Sequence, residues 1–125
     1  MRGPRRARRQ RPEAAIQRAV FQHPRARGAR GLVAFHVPNG GYRRPAEAAI
    51  LRGLGVVAGV PDVIAIHNGH CFVLELKASG GRTTDKQLAT IAALRETGAF
   101  TAVAEGLDRA LAVLEGWGLL RGRVS

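Results

Sequence analysis

The sequence of 125 residues is poor in cysteine, in acidic residues and in long apolar segments. Cys71 is the single cysteine, so an internal disulfide is excluded and a reducing, intracellular location such as cytoplasm or nucleoid is expected. No apolar run is long enough to span a bilayer. The charged N-terminus also lacks the apolar segment of a secretory signal. We therefore expect neither a membrane protein nor a secreted one.

Basic residues greatly outnumber acidic ones. Lys and Arg total 20 against 9 Asp and Glu, a net charge of +11, which is typical of a protein that binds a polyanion such as nucleic acid. Residues 1–11 carry six arginines and no acid. We predict that this segment is a flexible basic tail adding salt-sensitive phosphate contacts, and that residues 12–125 form a single domain.

Hydrophobic periodicity and turn residues predict eight elements. They are a helix over 12–22, a strand over 32–37, a helix over 45–54, strands over 62–66 and 71–77, a helix over 84–97, a strand over 99–104 and a helix over 107–114. This order favours the α/β class, with a mixed central sheet of about four strands flanked by helices on both sides.

The two middle strands are predicted to form a hairpin around Asn68-Gly69. If these are the turn residues, the pairing register sets Asp62 opposite Glu75 on one face. Two carboxylates this close repel each other unless a cation lies between them. Hard oxygen ligands favour Mg²⁺ or Mn²⁺, so the pattern predicts a divalent metal site.

A lysine lies next to this pair. Lys77 points to the same face as Glu75 because side chains alternate along a strand. The chain has 18 arginines and only two lysines, so a lysine here is an unusual choice. An ammonium group beside a metal-bound water is an arrangement suited to phosphodiester hydrolysis.

Pro61-Asp62 followed by Glu75-Leu76-Lys77 resembles the PD-(D/E)xK nuclease superfamily. The motif around Gly59, the glycines after Lys77, Gln87, the loop at 39–41 and the segment 13–17 more narrowly resemble its VRR-NUC branch. The resemblance covers roughly residues 13–106. It implies a restriction-endonuclease-like core, metal-dependent cleavage of DNA, and a homodimer acting on branched DNA such as Holliday junctions.

The resemblance also implies residue roles. Asp62 and Glu75 would bind the metal together with the backbone carbonyl of Leu76, and Lys77 would be the catalytic lysine. Glu13 would approach the metal site directly or through water, and Gln87 would orient groups near the phosphate. The arginine-rich tail looks like an addition to the family pattern.

Simpler interpretations remain for several of these residues. Asp62 could simply be the first residue of a strand, and Glu75 with Lys77 could be an exposed ion pair. Glu13 could have no role beyond stabilising a helix N-terminus by its negative charge. Gln87 also fits a capping box with Thr84. Three histidines have structural interpretations as well: His67 and His70 as solvated turn residues, and His36 as a strand-end residue that could otherwise reach phosphate.

Candidate DNA contacts lie in the loops. They are Asn39, Gly40, Arg43, Arg44 and Arg82. The glycine loop lacks a phosphate-binding fingerprint, so it is first a turn and only then a DNA-contacting loop.

Two classes of function remain open. The first is a structure-selective DNA endonuclease cutting branched DNA, or a restriction-type or nicking nuclease on duplex DNA. The second is a non-catalytic basic protein that only binds nucleic acid.

Overall fold

The computed structural model describes residues 3–38 and 44–122, with side chains from residue 13 onward. Its helices are α1 (Gly3–Arg27), α2 (Pro45–Gly53), α3 (Asp85–Glu96) and α4 (Leu107–Gly116). Its strands are β1 (Val33–His36), β2 (Val63–His67), β3 (His70–Lys77) and β4 (Phe100–Glu105). The predicted α/β class is confirmed.

The four strands form one mixed sheet in the order β1-β2-β3-β4. β1 and β3 run antiparallel to β2, whereas β4 runs parallel to β3 and is reached through α3. α1 and α4 pack together on one face of this sheet. α3 packs against β4. The carboxyl ends of β3 and β4 therefore meet at one edge, close to the start of α3.

The register of the β2–β3 hairpin agrees with the prediction. His67 pairs with His70, and the ladder continues outward to Val63 opposite Leu74. The turn is made by Asn68 and Gly69, with φ of 50° and 77°. A positive φ at both turn positions is what a two-residue hairpin with the right-handed strand twist requires. This short turn fixes which side chains share a face along both strands.

One apolar core lies between the sheet and the pair α1 and α4. Alternate residues of the middle strands point into it, including Val63, Leu74 and Leu76, and they meet Val20 and Leu111 from the helices. The neighbouring positions on β3 point to the opposite face. That opposite face carries Glu75 and Lys77, so burial of the core aims both charged side chains to one side.

The predicted start of the first helix was wrong. α1 begins at Gly3 and runs to Arg27, past both limits of the predicted segment 12–22. Arginine, alanine and glutamine before Pro12 favour helix, and this propensity extends α1 toward the N-terminus although the segment lacks apolar periodicity. At its other end the helix is held by Arg121, whose N–H donates to the Arg27 carbonyl. The flexibility of residues 1–11 and the domain limits stay predictions.

The apolar side of α2 is not part of the core. This helix contains no buried residue, and Ile50 and Leu54 are 65% and 76% exposed. Helical spacing placed these side chains on one face correctly, but within the described residues nothing covers that face.

No helix in the described part of the chain is long and apolar enough to cross a membrane.

Candidate active site

Asp62 and Glu75 meet where β2 and β3 separate. Asp62 lies one residue before β2, at the position that the hairpin register sets opposite Glu75. Its Oδ2 accepts a hydrogen bond of 2.8 Å from the backbone N–H of Leu76. Pro61 is fully buried beside it. The carboxylate is thus held against β3 by the backbone.

Glu75 is a buried acid, with 1% of its surface exposed. Burial raises the pKa of its carboxyl to about 9, a hydrogen bond with Asp62 and repulsion by the Asp62 charge add to the rise, and Lys77 opposes it. Without a cation the carboxyl therefore holds a proton at neutral pH. Its Oε2 atom is buried and has no hydrogen-bond partner among the described residues.

Lys77 is buried at the same edge and is held by the first turn of α3. Its Nζ donates a hydrogen bond of 2.9 Å to Oε1 of Gln87. The same Oε1 accepts from the backbone N–H of Thr84, and Thr84 Oγ1 accepts from the N–H of Gln87. Gln87 therefore completes the capping box of α3, as the spacing predicted, and it also holds the Lys77 ammonium group. Its expected role near the phosphate stays a prediction.

Glu13 lies near these residues, on α1. Its charge contributes to the raised pKa of Glu75, so the two carboxyl groups are close. Its Oε1 lies 3.5 Å from where a Cβ of Gly81 would stand. The Glu13 carboxylate therefore lies against the loop that follows β3. The structure brings Glu13 to the site.

The Leu76 carbonyl also points to the Asp62 side of β3. The Lys77 carbonyl accepts from Gly106 N–H on the β4 side, and successive carbonyls of a strand alternate in direction. The N–H of Leu76, which bonds Asp62, confirms the direction. Asp62, Glu75 and this carbonyl therefore face one space.

These groups fit Mg²⁺ or Mn²⁺. The donors are all oxygen atoms, which both ions prefer, and the unpartnered Oε2 of Glu75 is an acceptor that a cation would satisfy. In residues 13–38 and 44–122, no three His, Cys, Asp or Glu side chains form a ready metal cluster. Two carboxylates and one carbonyl would thus have to be completed by water, as is usual for Mg²⁺.

Two supporting contacts were not predicted from the sequence. Gly59, with φ of 81°, packs so tightly on α3 that a Cβ would lie 2.7 Å from the Lys86 carbonyl oxygen. The Nδ1–H of His36 donates to the Asp62 carbonyl over 2.8 Å. In the sequence Gly59 is only part of a motif. Nothing in the sequence indicates that its φ is positive or that it packs on α3. Both contacts hold the segment that carries Asp62.

The remaining candidates lie outside this cluster. Arg44 is exposed at the start of α2, and Arg82 is exposed in the loop before α3. Asn39, Gly40 and Arg43 lie outside the described residues. His67 bonds the Arg30 carbonyl, and His70 packs edge-on against Phe72 and Phe100. His70 is therefore exposed at the start of β3, directly after the turn, and has aromatic neighbours.

Comparisons with known proteins identify the fold. A scan against protein-family profiles finds no match, and neither does a search of curated proteins. Among solved structures, a "VRR_NUC domain protein" superposes with a TM-score of 0.71 at 24% identity, over 85% of this chain and 87% of that one. A second, described as "VRR_NUC domain", gives 0.59 at 17% identity, over 85% and 97%. The resemblance expected from the sequence is thus confirmed in three dimensions: this chain has the VRR_NUC fold.

Proposed function

We propose that this protein is a divalent-metal-dependent DNA endonuclease. The observation that carries the proposal is the meeting of Asp62, Lys77 and the unpartnered Oε2 of Glu75 at one sheet edge. The VRR_NUC fold supports it, because VRR_NUC is the name of a nuclease domain and both solved structures that resemble this chain carry it. The net charge of +11 agrees with a phosphate-bearing substrate.

Asp62, Glu75 and the Leu76 carbonyl would hold the metal. When bound, Mg²⁺ or Mn²⁺ lowers the pKa of a water ligand and offsets charge on the attacked phosphate. Loss of the Glu75 proton accompanies binding, because the raised pKa keeps that carboxyl neutral otherwise. Asp62 is oriented for this role by the Leu76 N–H.

Lys77 would act on the nucleophile and the phosphate. Its ammonium group belongs to a buried residue and interacts with the Glu75 carboxyl, in surroundings where a charge acts more strongly than in water. Its bond to Gln87 aims it from the α3 side, so a water between Lys77 and the metal site would be oriented before reaction. Gln87 is a positioning residue in this scheme, and Glu13 adds negative charge that favours cation binding.

The proposed substrate is branched DNA such as a Holliday junction, and the proposed assembly is a homodimer. Two copies of the chain would place one active site on each of two DNA strands. Exposed apolar side chains support a self-association surface: Ile50 on α2, Leu54 directly after this helix, and the register partners Val33 and Ile66 on the sheet. Light scattering would give twice the chain mass, and Ile50→Glu with Leu54→Glu would shift it to one chain.

A cleavage assay tests the proposal. Purified protein is incubated with Mg²⁺ or Mn²⁺ and labelled junctions, flaps, nicked duplex and linear duplex. We expect cuts on branched substrates, abolished by EDTA. Preferential cutting of linear duplex would instead favour a restriction-type or nicking nuclease.

Two variants separate an enzyme from a binding protein. Asp62→Asn and Lys77→Ala are expected to keep DNA binding and lose cleavage by at least about 100-fold, as for removal of groups that stabilise a transition state. Arg52→Ala is the control: Arg52 is exposed on α2, and its replacement is expected to leave cleavage unchanged. Wild-type protein that binds DNA but cuts none of these substrates with either metal contradicts the proposal.

A further inference from the structure

A groove runs along α1 and the edge strand β1, on the face of the sheet that carries the core. Its volume is about 750 Å³, within the range of about 300–1,000 Å³ that ligand sites span. The residues that line it are Gln17, Arg18, Phe21, Gln22, Pro24, Arg25, Leu32, Ala34, Phe35 and His36. Ala34 and His36 point toward α1, since their register partners belong to the core. The ring of Phe35 points to the opposite face of the sheet.

The α1 side of the groove is positively charged. Arg18 and Arg25 are exposed and lie seven residues apart, so two helical turns place them on the same face, about 10.5 Å from each other along the axis. Gln22 lies between them and is also exposed. Neither guanidinium group has a partner among the described side chains, and no lining residue is acidic. Two unpaired cations in a row, with an amide between them, are suited to an extended polyanion.

One end of the groove lies at the candidate active site. Residues 28–32 turn the chain back after α1, so α1 and β1 run in opposite directions along the groove. The end near the site is formed by Gln17 and His36. Gln17 lies one turn after Glu13 on the same face of α1, and His36 donates to the Asp62 carbonyl. A strand that lies in the groove therefore continues toward the carboxylates.

Positions along α1 can be compared with the spacing of nucleotides. Arg18 lies five residues and Arg25 twelve residues after Glu13, which is about 7.5 Å and about 18 Å along the helix axis. Successive nucleotides of one strand in duplex DNA are about 3.4 Å apart along its axis. For a strand that follows α1, the two guanidinium groups are therefore level with phosphates about two and about five nucleotides from the carboxylates.

We propose that this groove binds the sugar–phosphate backbone of the cleaved DNA strand on one side of the cut. Arg18 contacts a phosphate about two nucleotides from the scissile one, and Arg25 contacts a phosphate about five nucleotides from it. The inference rests on the proposed function and deepens it, because it assigns the DNA arm beside the cut to one surface of the protein. Phosphate contacts carry no base identity, so the groove sets the position of the cut without selecting a sequence.

An extended acidic peptide is the rival occupant, because β1 has no strand on its outer side within the described part of the sheet. Such a peptide would match Arg18 and Arg25 in charge. The position of the groove favours DNA, since the groove leads to the residues at which a DNA strand is proposed to be cut. The net charge of +11 over the whole chain also favours the longer polyanion.

Metal-free binding tests the groove without requiring cleavage. Anisotropy of a labelled hairpin duplex and of a labelled oligothymidine is measured in EDTA across a salt series. Wild type is compared with Arg18→Ala/Arg25→Ala and with Arg18→Lys/Arg25→Lys, which keeps both charges. The control is Arg52→Ala/Arg95→Ala, which removes the same charge from exposed positions outside the groove.

The alanine variant is expected to lower the slope of log K against log salt by about 1.8 for the duplex, since each duplex phosphate contributes about 0.9. For oligothymidine the expected decrease is about 1.4, at about 0.7 for each phosphate. A decrease with only one ligand would support the groove as the site of a paired or of an unpaired arm. The lysine variant and the control keep the wild-type slopes. Unchanged slopes in the alanine variant, or an equal decrease in the control, overturn the inference.

The positions of the two contacts are tested on a substrate that is cut. Uncharged methylphosphonate groups replace single phosphates of the cleaved strand, one at a time, on both sides of the cut. Wild type is expected to lose cleavage rate at about two and about five nucleotides on one side only. The alanine variant is insensitive at these positions, because the partner of each phosphate has already been removed. If the variant keeps the wild-type sensitivity at both positions, the inference is overturned although the enzyme cuts DNA.

The remaining outcomes separate the groove from the nuclease proposal. A protein that never cuts but shows the expected decreases in slope keeps the groove assignment and rejects only the nuclease. If the alanine variant keeps its slopes but loses binding of a labelled glutamate-rich peptide, the inference is overturned and the groove belongs to a protein partner.

Discussion

Asp62 lies beside the buried carboxyl of Glu75, and burial together with this neighbour raises the pKa of Glu75 to about 9. The folded protein therefore keeps a proton that the unfolded chain releases above its ordinary pKa of 4.5. Between these values the unfolded state binds fewer protons, so the free energy of unfolding falls as pH rises. The slope from this group is at most about 1.4 kcal/mol for each pH unit.

Glu75→Gln removes this pH dependence. In EDTA we expect the variant to match wild type near pH 4, where the Glu75 carboxyl is neutral in the folded and mostly neutral in the unfolded chain, and to exceed it in free energy of unfolding at pH 8 to 9. Urea unfolding at several pH values measures the difference. Parallel curves for the two proteins from pH 5 to 9 would show that Glu75 titrates normally.

Metal binding is expected to release a proton and to strengthen with pH. The Glu75 carboxyl must be ionised to bind Mg²⁺ or Mn²⁺, so apparent affinity rises by up to about tenfold for each pH unit below pH 9. Titration calorimetry in buffers of different ionisation enthalpy counts the protons. Buffer-independent heats at pH 7 would contradict the neutral state of Glu75, and Glu75→Gln is the control that releases none.

Gln87 and Thr84 can be separated by mutation. Thr84→Ala removes the Oγ1 acceptor of the cap and is expected to cost about 0.5–2 kcal/mol of stability. It leaves Gln87 beside Lys77, so cleavage at saturating DNA is retained. Gln87→Ala releases the Lys77 ammonium as well and lowers kcat by at least tenfold. Equal losses of kcat in the two variants would reduce Gln87 to a capping residue.

Gly59 is expected to be intolerant of a side chain. Gly59→Ala places a Cβ 2.7 Å from the Lys86 carbonyl oxygen and must strain or shift the loop that leads to Asp62. Gly55→Ala is the matched control, because Gly55 also has a positive φ but open space around it. The control carries only the backbone strain, about 1–2 kcal/mol. We expect a larger loss of stability at Gly59, seen in urea midpoints, and reduced metal affinity.

The centre of the site could be predicted because it depends on local rules. A two-residue turn at Asn68-Gly69 sets the hairpin register, and the register sets Asp62 opposite Glu75. The capping box of Thr84 and Gln87 follows from spacing alone. Such features need only the chain between residues 62 and 87, so sequence pattern is sufficient for them.

Other features depend on distant segments and gave no sequence signal. The contact of α1 with the sheet joins segments far apart in the chain, and the fit of Gly59 against Lys86 depends on the angle between the loop and α3. The exposure of Ile50 on α2 likewise depends on other elements, because no described element packs against this side chain. Periodicity predicts which side chains share a face but not which element, if any, covers that face.

The end of α1 is fastened by a distant part of the chain. Ala29 N–H donates to the Leu119 carbonyl, Gly28 pairs with Leu120, and Arg27 lies 3.5 Å from Glu115. During synthesis these contacts form only after residues 115–121 have left the ribosome. The hairpin carboxylates are made earlier, so a nascent chain carries them before the helix bearing Glu13 is anchored, and Glu13 is held beside them only after residues 115–121 have emerged.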